Sequence, residues 1–317
     1  MRWEKARRAS KGFIGLLLIL ALGLFTPTLL YAGAKAPKKA AVPQKSEKRL
    51  ETTAEVSKRA VAKEEKKAEE IKEELNKKAI EAVAQTYKAL DLLAEGKSKE
   101  ALEILKKVIG ELEIILAANK KAAFVPINTY HVITDIRLSP EEIETEIKKV
   151  RKLLHEGDVQ EARLLLNTLQ SEINIIIEQL PLATYPDAIK LASKYIINDK
   201  VKEAESVLSI ALNSMVLKTI VIPLPLVKAT ELTKAASKSA KKNKDNALKL
   251  LEEAKKQLKI AQVLGYGRSY SDTYKDLKKK IEAIQKEIKG KNKAEKLFEE
   301  LIIKLKEFKT RLQKTLS

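Results

Sequence analysis

The chain has 317 residues, 44% of them hydrophobic, with 10 Gly, 9 Pro and 4% aromatics, a composition of helix formers that disfavours a sheet protein. It holds no cysteine, which excludes disulfides, thiolate nucleophiles, Cys-ligated zinc and a lipid-anchored N-terminal cysteine. The formal net charge of +19 divides into +4 over residues 1–32, +4 over 33–77, +4 over 78–267 and +7 over 268–317, so the body is near neutral and the excess lies in solvated ends, with no nucleic-acid face.

At the N-terminus, Arg2, Lys5, Arg7, Arg8 and Lys11 precede an apolar run from Gly12 to Leu30, and small residues follow at Ala32 and Ala34. This order predicts a signal peptide over 1–32, cleaved near Gly33 or Lys35, and a periplasmic or otherwise exported protein. The alternative is an uncleaved N-terminal membrane anchor, since the run is nearly the length of a membrane span; Thr26, Pro27 and Thr28 interrupt it. Residues 33–52 form a Lys/Ala/Pro linker without apolar period, and 53–77 a charged helix, solvent-exposed and laced by pairs such as those of Lys63-Glu64-Glu65-Lys66. Weak contact of these basic ends with an anionic membrane surface is expected.

From Lys78 a pattern recurs four times: an apolar-periodic stretch, a turn, an Ala-led apolar stretch, then an apolar stop. The Ala-led helices begin at Ala101, Ala162, Ala204 and Ala247, where a methyl lets two helices approach closely. The stops are Phe124-Val125-Pro126-Ile127, Leu180-Pro181-Leu182, Ile222-Pro223-Leu224-Pro225-Leu226 and Leu264-Gly265-Tyr266-Gly267. In the second unit the helical face runs Ala162, Leu166, Leu169, Ile173 and Ile176, and in the third Ala204, Leu208, Ala211 and Met215. Ser139-Pro140-Glu141-Glu142 predicts a capping box with Pro at the first helical position, and Asp158 with Glu161 a second box. Residues 268–317 form a further, charged helix pair, peripheral to the body. The fold class is therefore all-α: helical hairpins packed as a bundle or short irregular solenoid, with charged extensions at both ends.

Successive turn alanines lie 61, 42 and 43 residues apart, which separates the chain from tetratricopeptide repeats with their period of about 34. Over 78–267 it instead resembles the YfdX-like family of exported bacterial proteins. The likeness rests on Ala79-Ile80, Gly96 with Glu100-Ala101, Phe124-Val125-Pro126, Leu180-Pro181-Leu182, the prolyl run at 222–226, and Ala261 with Leu264-Gly265-Tyr266. The resemblance implies a helical, exported, stress-associated protein that oligomerises, with no catalytic motif to carry over.

No Ser, His and Asp set has nucleophile spacing, and no cofactor or metal site is expected. His131 and His155 are the two histidines; zinc needs three or four convergent ligands, and His155 suits the negative end of a helix instead. The candidate binding groove or interface comprises Phe124, Tyr130, His131, Leu182, Tyr185, Leu224 and Tyr266. The expected function is non-enzymatic binding or self-assembly in the cell envelope, as a homo-oligomer or with an envelope protein. The alternative is a periplasmic small-molecule or metal carrier with a pocket at Tyr130, His131 and Tyr266. Core burial of the prolyl strips competes with both, because large exposed apolar patches are rare.

Overall fold

The computed structural model describes residues 51–70, 75–120, 122–290 and 294–316, all within one compact unit, Arg49–Ser317. The signal segment and nearly all of the linker lie outside the described residues. Helix α1 (Thr53–Glu70) precedes three αα-hairpins, each followed by a strand. These are α2 (Lys77–Ala94), α3 (Ser98–Ala118) and β1 (Phe124–Thr134); α4 (Pro140–Glu156), α5 (Val159–Thr168) and β2 (Glu172–Pro181); and α6 (Tyr185–Ile197), α7 (Val201–Leu212) and β3 (Val216–Pro223). Two further pairs complete the chain: α8 (Leu224–Ala240) with α9 (Lys244–Val263), and α10 (Ser271–Lys289) with α11 (Glu295–Leu316). The architecture is predominantly helical. Among the described residues no helix is long and apolar enough to cross a membrane.

The helical hairpins follow the sequence pattern closely. Ala101, Ala162, Ala204 and Ala247 are all fully buried, as close helix approach at the elbows requires. The Ser139 hydroxyl accepts from the Glu142 amide at 3.2 Å while the Glu142 carboxylate accepts from the Ser139 amide at 2.7 Å, a complete capping box. The second expected box does not form: Asp158 makes no side-chain cap. Gly157 instead closes α4 in the left-handed conformation, φ 86°, which a side chain would strain.

The prolyl stops are not merely stops. The first three lie in or beside strands of a meander sheet, order β1-β2-β3, both pairings antiparallel. Ile173 and Ile176, expected on a helix, sit in β2, and Met215 lies between α7 and β3. In the run at 222–226, Pro223 ends β3 and caps α8, and Leu224-Pro225-Leu226 form the first helical turn. Pro tolerates that place because a first-turn amide has no intrahelical partner.

Neither charged extension is peripheral. Helix α1 buries Val56, Ala60, Glu64 and Ala68, one stripe at spacing four, and lays Ala60 and Ala68 on Ile173, Ile175 and Ile222 of the sheet. The Glu64 carboxylate accepts from Lys67 at 2.8 Å and from Lys309 of α11 at 3.2 Å. Burial acts to raise this carboxyl, but the Lys67 hydrogen bond and the Lys309 charge outweigh it and hold it below the ordinary value. At the other end Tyr274, Leu277, Phe298, Leu301, Leu305, Phe308 and Leu312 join one core with α8 and α9.

Candidate functional site

Paired residues in an antiparallel sheet point to the same side, so the register assigns each strand residue a face. One face carries His131 and Ile133 of β1, Ile175 and Ile173 of β2, and Ile220 and Ile222 of β3, and packs under α1. The other carries Tyr130, Ile176 and Thr219 in one row and Val132, Asn174 and Val221 in the next, with Asn128, Glu178 and Leu217 beyond. The register shifts between Pro126 and Asn128, a bulge at Ile127 of the kind that bends a strand.

This second face is open. Tyr130 and Val132 are each 49% exposed and Leu217 62%, where an alternating half-buried sheet would present polar side chains to water. At its far end the face closes, as Val125 and Leu180 pack with residues of α2, α3 and α6. Phe124, 42% exposed, begins β1 opposite Pro181 and so has the register of the other face.

The seven residues singled out from sequence do not line one groove. Tyr130 is on the open face, whereas Phe124, paired with Pro181, has the register of the other face, and His131 lies on that covered face, its Nε2 3.7 Å from a Glu65 oxygen of α1. Leu182 and Tyr185 belong to the core of the first and third hairpins, Leu224 to the layer between sheet and α1, and Tyr266 to the α8–α11 core. A pocket shared by Tyr130, His131 and Tyr266 is thus not formed. Among the described residues no group of three or more His, Asp or Glu is placed to hold a metal.

Tyr266 anchors the opposite end of the sheet. Its hydroxyl accepts from the Ser171 amide at 3.0 Å and donates to the Glu172 carboxylate at 2.7 Å, while Tyr274 donates to its carbonyl at 2.6 Å. Burial, and then the bond to Glu172, push its phenol well above the ordinary tyrosine value. Beside it Asp135 accepts from Lys228 at 2.6 Å and from the Ser171 hydroxyl at 3.2 Å. Through Asp135 the Lys228 ammonium ties the end of the sheet to α8.

Two buried tyrosines lead to opposite expectations. Tyr266→Phe strands the Ser171 amide and is expected to destabilise by about 1–3 kcal/mol. In Tyr185→Phe the lost hydroxyl is buried without a hydrogen-bond partner: neighbouring Thr86 donates to the Ala82 carbonyl at 2.8 Å, and burial pushes the Tyr185 phenol up to about 12. That variant should be neutral or more stable than the parent. Thermal melts of both variants check the pair; equal losses would refute it.

Sequence reasoning missed Val132, Ile176, Leu217 and Val221. The signal was there in the β-branched runs Ile173 to Ile177 and Val216 to Ile222, which favour strand over helix. Residues 82–221 match the family model for the YfdX protein. Among solved structures the chain is similar to a crystal structure of YfdX from Salmonella Typhi, at 17% identity and a TM-score of 0.33, with 47% of this chain and 93% of that chain covered. No curated protein matches it.

Proposed function

We propose that this chain, YfdX-like across residues 82–221, is an exported, non-enzymatic envelope protein that acts through self-assembly, with the open sheet face as its contact surface. The observation that carries this reading is the exposure of Tyr130 and Val132 on β1 and of Leu217 on β3, all on one face of a sheet whose other face is covered. Water gains by leaving such a surface, at roughly 25 cal/mol per Å² of apolar area. A second copy is the favoured occupant because an isologous contact lets one patch serve both sides. Export rests on the N-terminal segment, the association with stress on the family likeness, and contact of the basic ends with anionic membrane on their charge.

Sedimentation of the mature chain tests the assembly. The parent is expected to associate at micromolar concentration, and Val132→Glu with Leu217→Glu to leave a folded monomer with an unchanged melting temperature. A monomeric parent, or a double variant that still associates, would sink the reading. N-terminal sequencing of the exported protein tests the cleavage.

A further inference from the structure

The second hairpin leaves much of its apolar surface uncovered. Leu154, Val159, Leu164 and Leu166 are 48%, 53%, 65% and 45% exposed, and its packed side rests on α9 through Ile143, Val150 and Ile260. Where the hairpin splays from the end of α9 it leaves a cleft of about 880 Å³, within the range of roughly 300–1,000 Å³ in which small molecules bind.

The floor of this cleft is apolar: Ile147, Leu166, Leu169, Val263 and Leu264. Its rim is basic, with Lys148 and Arg151 from α4, Lys259 from α9 and Arg268 just past Gly267. Glu144 is the one acid at the rim, and it is already bonded by Lys259 at 2.8 Å. The Lys259 bond, helped by the Lys148 charge, holds the Glu144 carboxyl low, which leaves Arg151 and Arg268 as the rim cations that face no acid of the cleft. Further along α9 a second cleft of about 540 Å³ has a mixed lining, Lys249, Lys255, Lys256 and Lys278 together with Glu141, Glu252 and Glu253, and lacks the one-signed rim of the first. Burial, and then the charges of Lys259 and Lys255, hold the Lys278 ammonium below its ordinary value.

We propose that the cleft between the second hairpin and α9 binds a single-chain amphiphilic anion, its acyl chain on the Ile147, Leu166 and Val263 floor and its carboxylate against Arg151 and Arg268. A plain anion would leave the floor wet, and a neutral hydrocarbon would leave the cations facing an apolar surface. Only a molecule with both parts satisfies both. The cations stand on the walls of a concavity, which suits a monomeric ligand better than a flat bilayer.

Calorimetry with the mature protein tests this, using dodecanoate below its micelle concentration as probe, with dodecanol and acetate as the uncharged and chainless controls. Dodecanoate is expected to bind about tenfold or more tightly than dodecanol, acetate not detectably, and Arg151→Gln with Arg268→Gln to weaken dodecanoate about tenfold while leaving dodecanol unchanged. Both substitutions lie on exposed side chains, so the melting temperature should not move. Equal affinity for dodecanol, indifference to the double substitution, or binding to vesicles of anionic phospholipid without binding of dodecanoate would each overturn the proposal.

Discussion

Leu224→Asp is expected to yield an unfolded chain and not a folded monomer. Leu224 is fully buried and packs with Ile173, Ile175, Ile222 and Val227 beneath α1. Truncating such a side chain costs about 2–5 kcal/mol, and a carboxylate placed there without a partner costs several more. One effect works the other way: Leu224 is the first residue of α8, where a negative charge gains about 0.3–1 kcal/mol from the helix dipole. Burial wins by several-fold, and the sum approaches the about 5–15 kcal/mol that holds a domain folded. Circular dichroism and gel filtration read the result, with Leu224→Ala as the control that should stay folded at a lower melting temperature. A soluble, cooperatively melting Leu224→Asp monomer would show that this residue is an interface.

Ending the chain after Lys289 should be as damaging. This removes α11 and with it Phe298, Leu301, Leu305, Phe308 and Leu312, each at most 2% exposed. At about 1.5–3 kcal/mol per side chain the loss is roughly 7–15 kcal/mol, again the size of the whole stability. It also strips Phe308 from Tyr274, whose rings meet edge to face at 5.0 Å, and Lys309 from the buried carboxylate of Glu64. The shortened protein is expected to aggregate or to bind a hydrophobic dye without a cooperative melt. A sharp transition within a few degrees of the parent would mean that α8 and α9 close their core without α11.

Both expectations depart from a reading of charge alone. Helix α11 carries many lysines and glutamates, but its apolar residues recur at 298, 301, 305, 308 and 312, and that spacing rather than net charge decides burial. In α1 the stripe is Val56, Ala60, Glu64 and Ala68, so small and half-polar that sequence alone reads it as solvated; it is buried because α8, the sheet and Lys309 of α11 meet it from outside the segment.

The strands were hidden for a different reason. Ala162, Leu166, Leu169, Ile173 and Ile176 satisfy a helical period, yet α5 stops at Thr168 and Ile173 and Ile176 fall on opposite faces of β2. Both periods fit so short an apolar run, and the choice was made by pairing with β1 and β3, whose residues lie tens of positions away. The same long-range pairing scattered the candidate groove, sending Tyr130 and His131, neighbours in the chain, to opposite sides of the sheet.

From its own residues the chain determined its helical character, the four hairpins, their alanine elbows and the Ser139 capping box, because each depends on contacts within a few turns. Only the tertiary structure decided that three of the prolyl segments lie in or beside one sheet, that α1 and α11 belong to the core, and that Lys148, Arg151, Lys259 and Arg268, from three separate segments, line one cleft. Those outcomes depend on which distant surfaces meet, and burial free energy, unlike local periodicity, is set by the partner as much as by the segment.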